Sequence, residues 1–202
     1  MKQCYNVFPK ENTGWDITAA TSKEIDSTKE LYSMVDKDNT FLYTLTLKKI
    51  RATKKGIEYS DDISQFSDPW LDMIMNDFSI PLFSKNLKNY IDKNIKDIDY
   101  QRWINIEISG NNCVRTYYVP KFIKKLDVLN IEKCTLNEED GSIIVPCFSY
   151  AKIQKYVLFQ EFDGEEYQWR VPSSVIISDE TRRKLIENKF TGIMYEKIRT
   201  SE

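Results

Sequence analysis

The chain has 202 residues, of which 41% are hydrophobic and 13% aromatic, enough for a buried core and too apolar for wholesale disorder. A formal net charge of −2 argues against a dedicated nucleic-acid binder, whose footprint is basic. Histidine is absent, which excludes Ser-His-Asp and Cys-His nucleophile arrangements and removes the commonest transition-metal ligand.

Cys4, Cys113, Cys134 and Cys147 are widely spaced with no C-x-x-C pair, so they read as reduced, mostly buried thiols and not as a metal site. No run is long and apolar enough to span a bilayer, and the opening MKQCYNVF lacks a signal-peptide apolar segment. The chain is therefore expected in the cytoplasm, with no membrane partner.

Cys4–Phe8 predicts a first strand stopped by Pro9, and residues 10–20 read as a loop carrying Trp15. A helix from Ser22 or Asp26 to about Val35 is suggested by Ile25, Thr28, Tyr32 and Val35. The alternating stretch from Phe41 to Leu47 predicts a strand. Lys48 to Lys55 reads as a basic connection, and Gly56 turns the chain into Ile57-Glu58-Tyr59. Asp68-Pro69 looks like a helix start, with Trp70, Leu71, Ile74 and Phe78 on the inner face of a helix over 69–77. Ile80 to Phe83, then Ser84 as a cap, then Leu87, Ile91 and Ile95 at i, i+4, i+8 predict a strand–cap–helix unit.

Tyr100 to Ile108 and Val114 to Val119 predict paired strands about a turn at Ser109–Asn112, the second ending at Pro120. An acidic turn at Glu138–Gly141 precedes a strand over Ser142–Phe148. Asp163-Gly164 marks a hairpin between Lys155–Phe159 and Tyr167–Val171. The closing stretch repeats the earlier unit: Val175-Ile176-Ile177 as strand, Ser178 as cap, and Asp179 and Glu180 against the dipole of a helix ending at a left-handed Asn188. Phe190 to Tyr195 resumes an extended pattern. The expectation is one α+β domain, residues 1–202, with a mostly antiparallel, aromatic-rich sheet, three to four helices and a repeated strand–Ser cap–helix unit. A weak sub-boundary near residues 60–67 is the one place where the chain could be divided.

Paired acids occur at Asp61-Asp62, Glu138–Asp140 and Glu165-Glu166. Carboxylate catalysis needs two such groups facing each other in a cleft, whereas these sit in polar turns. They read more naturally as charged surface able to meet a basic partner. Lys121, Lys124 and Lys125 beside Tyr117, Tyr118 and Phe122 could stack and hold single-stranded nucleic acid, or simply guard a sheet edge. Gly-rich phosphate loops are absent, so no cofactor is implied. An enzyme with a carboxylate-based site and an RNA-binding module built on residues 114–125 remain the alternatives.

Three segments in order carry a resemblance: FSIPLFSKNLKNYI, YYVPKFIKKLDVLNIEKC and YQWRVPSSVIISDETRRKLIENKFTGIMYEKI. Over residues 79–202 the chain resembles a bacterial immunity-protein family of polymorphic toxin systems, the family numbered eleven. Ser84, Leu126-Asp127-Val128-Leu129, Trp169-Arg170, Ser178 and Thr191-Gly192-Ile193 match its motifs. Asn130 departs where an acid is common, and Cys134 where a serine is common. The resemblance implies a non-enzymatic α+β protein that binds a cognate toxin and blocks it. Contact is then expected through exposed aromatics and charged turns: Trp15, the turn Glu138, Glu139 and Asp140, and the turn Asp163, Glu165 and Glu166. No catalytic, metal or cofactor residue is implied, and no nucleic-acid partner.

Overall fold

The computed structural model describes residues 3–11, 14–21, 44–94, 100–160, 171 and 173–202. Its largest element is a seven-stranded sheet made by β2 (Asp16–Thr21), β3 (Leu45–Thr53), β4 (Gly56–Ser60), β5 (Met73–Asn76), β6 (Leu82–Phe83), β7 (Gln101–Gly110) and β8 (Cys113–Phe122). The order is β2-β5-β6-β8-β7-β3-β4, and β2 also pairs with β3. That extra pairing closes six strands into a ring, with β4 hung outside on β3. Only β2–β5 and β3–β7 are parallel, so the sheet is mostly antiparallel.

Alternation along the strands decides what fills the ring. Ile17, Ala19, Leu45, Leu47, Ile74, Leu82, Ile104, Ile106, Ile108, Tyr117 and Val119 belong to one buried cluster. Their strand neighbours Met73, Phe83 and Phe122 belong to another, against which the partly buried Trp103 packs. A small closed sheet is filled by its own inward side chains, which makes the ring a packed core and not a pore. The β7–β8 hairpin closes through Asn111 and Asn112, both at positive φ (48° and 58°), the backbone of a type I′ turn, which asparagine tolerates.

The second cluster fills the space between the outside of the ring and a three-stranded sheet. That sheet has the order β12 (Val175–Ser178), β1 (Cys4–Pro9), β13 (Ile193–Ile198). β1 runs antiparallel to both neighbours, pairing Cys4 with Ser178 on one side and with Ile198 on the other. Helix α1 (Lys85–Asn94) adds Leu87 and Ile91, and helix α3 (Asp179–Glu187) adds Leu185. Smaller elements complete the fold: β9 (Thr135–Leu136) with β10 (Ile143–Val145), β11 (Phe148–Ser149) parallel to β14 (Thr200–Ser201), and a single turn of helix, α2 (Tyr150–Ile153). Residues 173–198 thus share core partners with residues 100–160.

Both strand–Ser cap–helix units form. Ser84 Oγ accepts from Leu87 N–H at 3.1 Å after β6, and Ser178 Oγ accepts from Thr181 N–H at 3.2 Å after β12. In α3, Asp179 pairs with Arg183, and Glu180 with Lys184 at 2.7 Å. Each pair has the acid N-terminal, the favourable order.

Several expectations are corrected. Residues 69–77 hold no helix: the Asp68 carboxylate accepts from Trp70 N–H at 3.1 Å in a turn, and Met73–Asn76 is strand β5. Pairing on both sides, to β2 and to β6, outweighs the local helix-start signal. Residues 10–20 are not all loop, since Asp16–Thr21 is β2, buried along almost its whole length between β3 and β5. The basic stretch from Lys48 lies within β3, paired to β4 through Thr53. β8 runs through Pro120, because its ladder to β6 is already over at Tyr118. The strand expected over Ser142–Phe148 is interrupted at Pro146 and Cys147. Of the strand expected over Lys155–Phe159, only Phe159 pairs, with Ile176. Helix α3 ends with Lys189, not Asn188, in the left-handed region (φ 59°). The helix expected from Ser22 to Val35 and the hairpin at Asp163-Gly164 lie outside the described residues.

Candidate partner-binding surface

The acidic turn Glu138–Asp140 forms the tip of the β9–β10 hairpin. Two Asx turns shape it: Asn137 Oδ1 accepts from Glu139 N–H at 3.0 Å, and Asp140 Oδ1 accepts from Ser142 N–H at 2.9 Å. The Ser142 backbone bond holds the Asp140 carboxyl below its ordinary value. All three acids are exposed, and among the described residues no cation pairs with them. Asp163, Glu165 and Glu166 lie outside the described residues.

Trp15 sits just before β2 and is half-buried. The Arg51 guanidinium lies 4.6 Å from its ring centroid, and Lys49 Nζ 5.0 Å. Both cations come from β3, so the indole face is already occupied by cation–π contacts within the chain. The same ribbon ties Lys48 to Asp61 at 3.2 Å, Lys49 to Asp62 at 3.8 Å and Arg51 to Glu58 at 2.6 Å. Its positive charge is therefore largely answered locally.

The lysine–aromatic stretch 114–125 offers few rings for stacking. Tyr117 is buried in the ring, where its hydroxyl donates to the Leu71 carbonyl at 2.6 Å and burial raises its pKa. Phe122 is fully buried, and Lys88 Nζ covers Tyr118 at 5.5 Å. Among the described residues no group of three Cys, Asp or Glu side chains is placed to hold a metal ion. None of their helices is long and apolar enough to cross a membrane.

Two residues of the resemblance, Ser84 and Thr191, meet on a third that sequence reasoning passed over. Asp72 Oδ1 accepts from Ser84 Oγ at 2.6 Å, while its Oδ2 accepts from Thr191 N–H at 2.9 Å and from the Thr191 hydroxyl at 3.1 Å. Gly192 follows at φ 72°, where an added Cβ would stand 2.3 Å from the Met73 carbonyl oxygen. These motif residues serve the scaffold. The aliphatic side chains on the β9–β10 hairpin were also missed. Their signal in the sequence was the run Ile143-Ile144-Val145, which reads equally well as core.

A search of curated proteins finds no match to the chain. The model of the immunity protein family Imm11 matches residues 23–200, and so begins well before residue 79. The chain belongs to the immunity protein family Imm11.

Proposed function

We propose that this chain protects a bacterial cell by binding a cognate toxin domain in the cytoplasm and holding it inactive. The family match over residues 23–200 carries this reading. The inhibition is by complex formation and not by chemistry, in keeping with a sequence that has no histidine and no phosphate-binding loop. The exposed acidic turn at Glu138–Asp140 supports it, because unpaired surface charge steers encounter with an oppositely charged partner. Trp15 is a weaker candidate for the interface, since a partner would first have to displace Arg51 and Lys49 from its ring.

The test is co-expression with the toxin domain encoded beside this gene. Growth should be rescued, and the two proteins should co-purify as a complex at low salt. Rescue without a complex, or turnover of a small substrate by the purified chain, would overturn the reading.

A further inference from the structure

The β9–β10 hairpin carries side chains that the fold itself does not use. Among the described residues its strands form a two-stranded sheet of their own, and a ribbon that packs one face on the core leaves the other face open. Leu136, Ile144 and Val145 are 40, 61 and 41% exposed, and Ile131, in the turn leading to the ribbon, is 53% exposed. Single exposed aliphatics are ordinary, but several gathered on one short excursion mark a surface that something covers. Ile143, on the same ribbon, packs against the core.

The ribbon is also held in a fixed pose at its root. Asn130 N–H donates to the Cys147 carbonyl at 2.8 Å, Cys147 N–H donates to Cys134 Sγ at 3.3 Å, and Asn130 Nδ2 donates to Ser201 Oγ at 2.9 Å. A ribbon fixed before binding loses little freedom on docking. Beyond the aliphatics stand Glu138, Glu139 and Asp140, exposed and, among the described residues, without a paired cation. The charge on the tip selects the occupant: a protein surface with cations set around an apolar seat.

We propose that the β9–β10 hairpin is the arm that docks this chain on its toxin. Ile144 and Val145, on the face turned away from the core-packed Ile143 and its partner Leu136, enter an apolar seat there, and the Glu138–Asp140 tip meets the toxin's cations. This rests on the immunity reading above. The two parts act differently. The aliphatic residues hold the complex by losing water, so they govern dissociation, whereas the exposed acids govern the association rate and its dependence on salt.

The test uses the full chain and the purified toxin domain from the neighbouring gene, followed by surface kinetics. Ile144→Asp and Val145→Asp should each dissociate about tenfold faster or more, with the unfolding midpoint of the free chain unchanged. Should either variant fail to fold, the exposed pair Glu138→Lys with Glu139→Lys carries the test. It should slow association severalfold at low salt, and the difference should vanish at high salt. Ile57→Asp, on β4 away from the arm, is the control and should bind as the parent does. A wild-type chain that leaves the toxin unbound overturns the immunity reading and the arm together. If the wild type binds and the arm variants bind as tightly and as fast, the arm proposal alone is overturned. It is equally overturned if the arm variants instead convert a self-associated form of the free chain to monomer.

Discussion

Asp72 and Thr191 hold each other in both directions. The Thr191 hydroxyl donates to the Asp72 carboxylate at 3.1 Å and accepts from the Asp72 N–H at 3.1 Å. Met73 N–H then donates to the Thr191 carbonyl at 3.2 Å. Because the same carboxylate takes the Ser84 hydroxyl, one residue joins the cap of α1 to the turn that opens β13.

Thr191→Val should therefore destabilise the fold by about 1–2 kcal/mol, since it removes a donor and an acceptor while keeping the shape of the side chain. Gly192→Ala should cost more, because the new Cβ collides with backbone and the φ of 72° disfavours any side chain. Denaturant unfolding of the two variants checks both values. Equal midpoints for parent and Thr191→Val would mean the paired bonds contribute nothing net.

Ser178→Ala should cost about 1 kcal/mol, because Thr181 N–H loses its acceptor at a buried helix start. Thermal unfolding reads the loss as a lower midpoint.

Lys189→Gly should raise stability by about 0.5–1 kcal/mol. Lys189 is exposed at φ 59°, with Lys189 N–H bonded to the Ile186 carbonyl and Phe190 N–H to the Leu185 carbonyl. That is the Schellman arrangement, in which glycine escapes the left-handed penalty. A rise in the unfolding midpoint is the expected result, and a fall would show that the lysine side chain contributes packing.

Alkali should weaken the fold from about pH 9 upward. Burial raises the Cys4 thiol from 9.0 to about 11 and the Tyr195 hydroxyl from 10.0 to about 12. Both groups are neutral when protonated, and the folded state holds their protons more tightly. Their stabilisation is complete below the unfolded values and is lost as pH rises through the folded ones. Unfolding free energy measured between pH 8 and 11 should fall, and Cys4→Ala should flatten the lower part of that fall. Thiol labelling at pH 8 gives a companion check: exposed Cys113 should react first, while buried Cys4 and Cys147 wait for unfolding.

The parts of this fold that could be read from sequence are those whose signals are local. Ser178 before two acids and Ser84 after an apolar run announced their helices, and the turn residues Ser109–Asn112 announced the β7–β8 hairpin, although Ser109 and Gly110 belong to β7 and the turn itself is Asn111-Asn112. Where neighbours distant in sequence decide, the reading failed. Met73–Asn76 is a strand because β2 and β6 flank it, and Asp16–Thr21 is a strand because β3 and β5 do. The acidic tip was legible as charge. That Ile144 and Val145 beside it face solvent was not, because burial depends on whether a second layer covers the ribbon.

The placement of β1 between β12 and β13 also sets a timetable for synthesis. All strands of the closed ring fall within residues 16–122, so the ring has every partner once those residues have been made. β1, made earlier, must wait for residues 175–198 before either of its edges is paired. Until then, Val7 and the buried thiol of Cys4 stand on an open strand, the kind of edge that recruits other chains. A nascent chain stalled between the two stages carries a finished ring and an unprotected strand, and chaperones would meet it at residues 4–9.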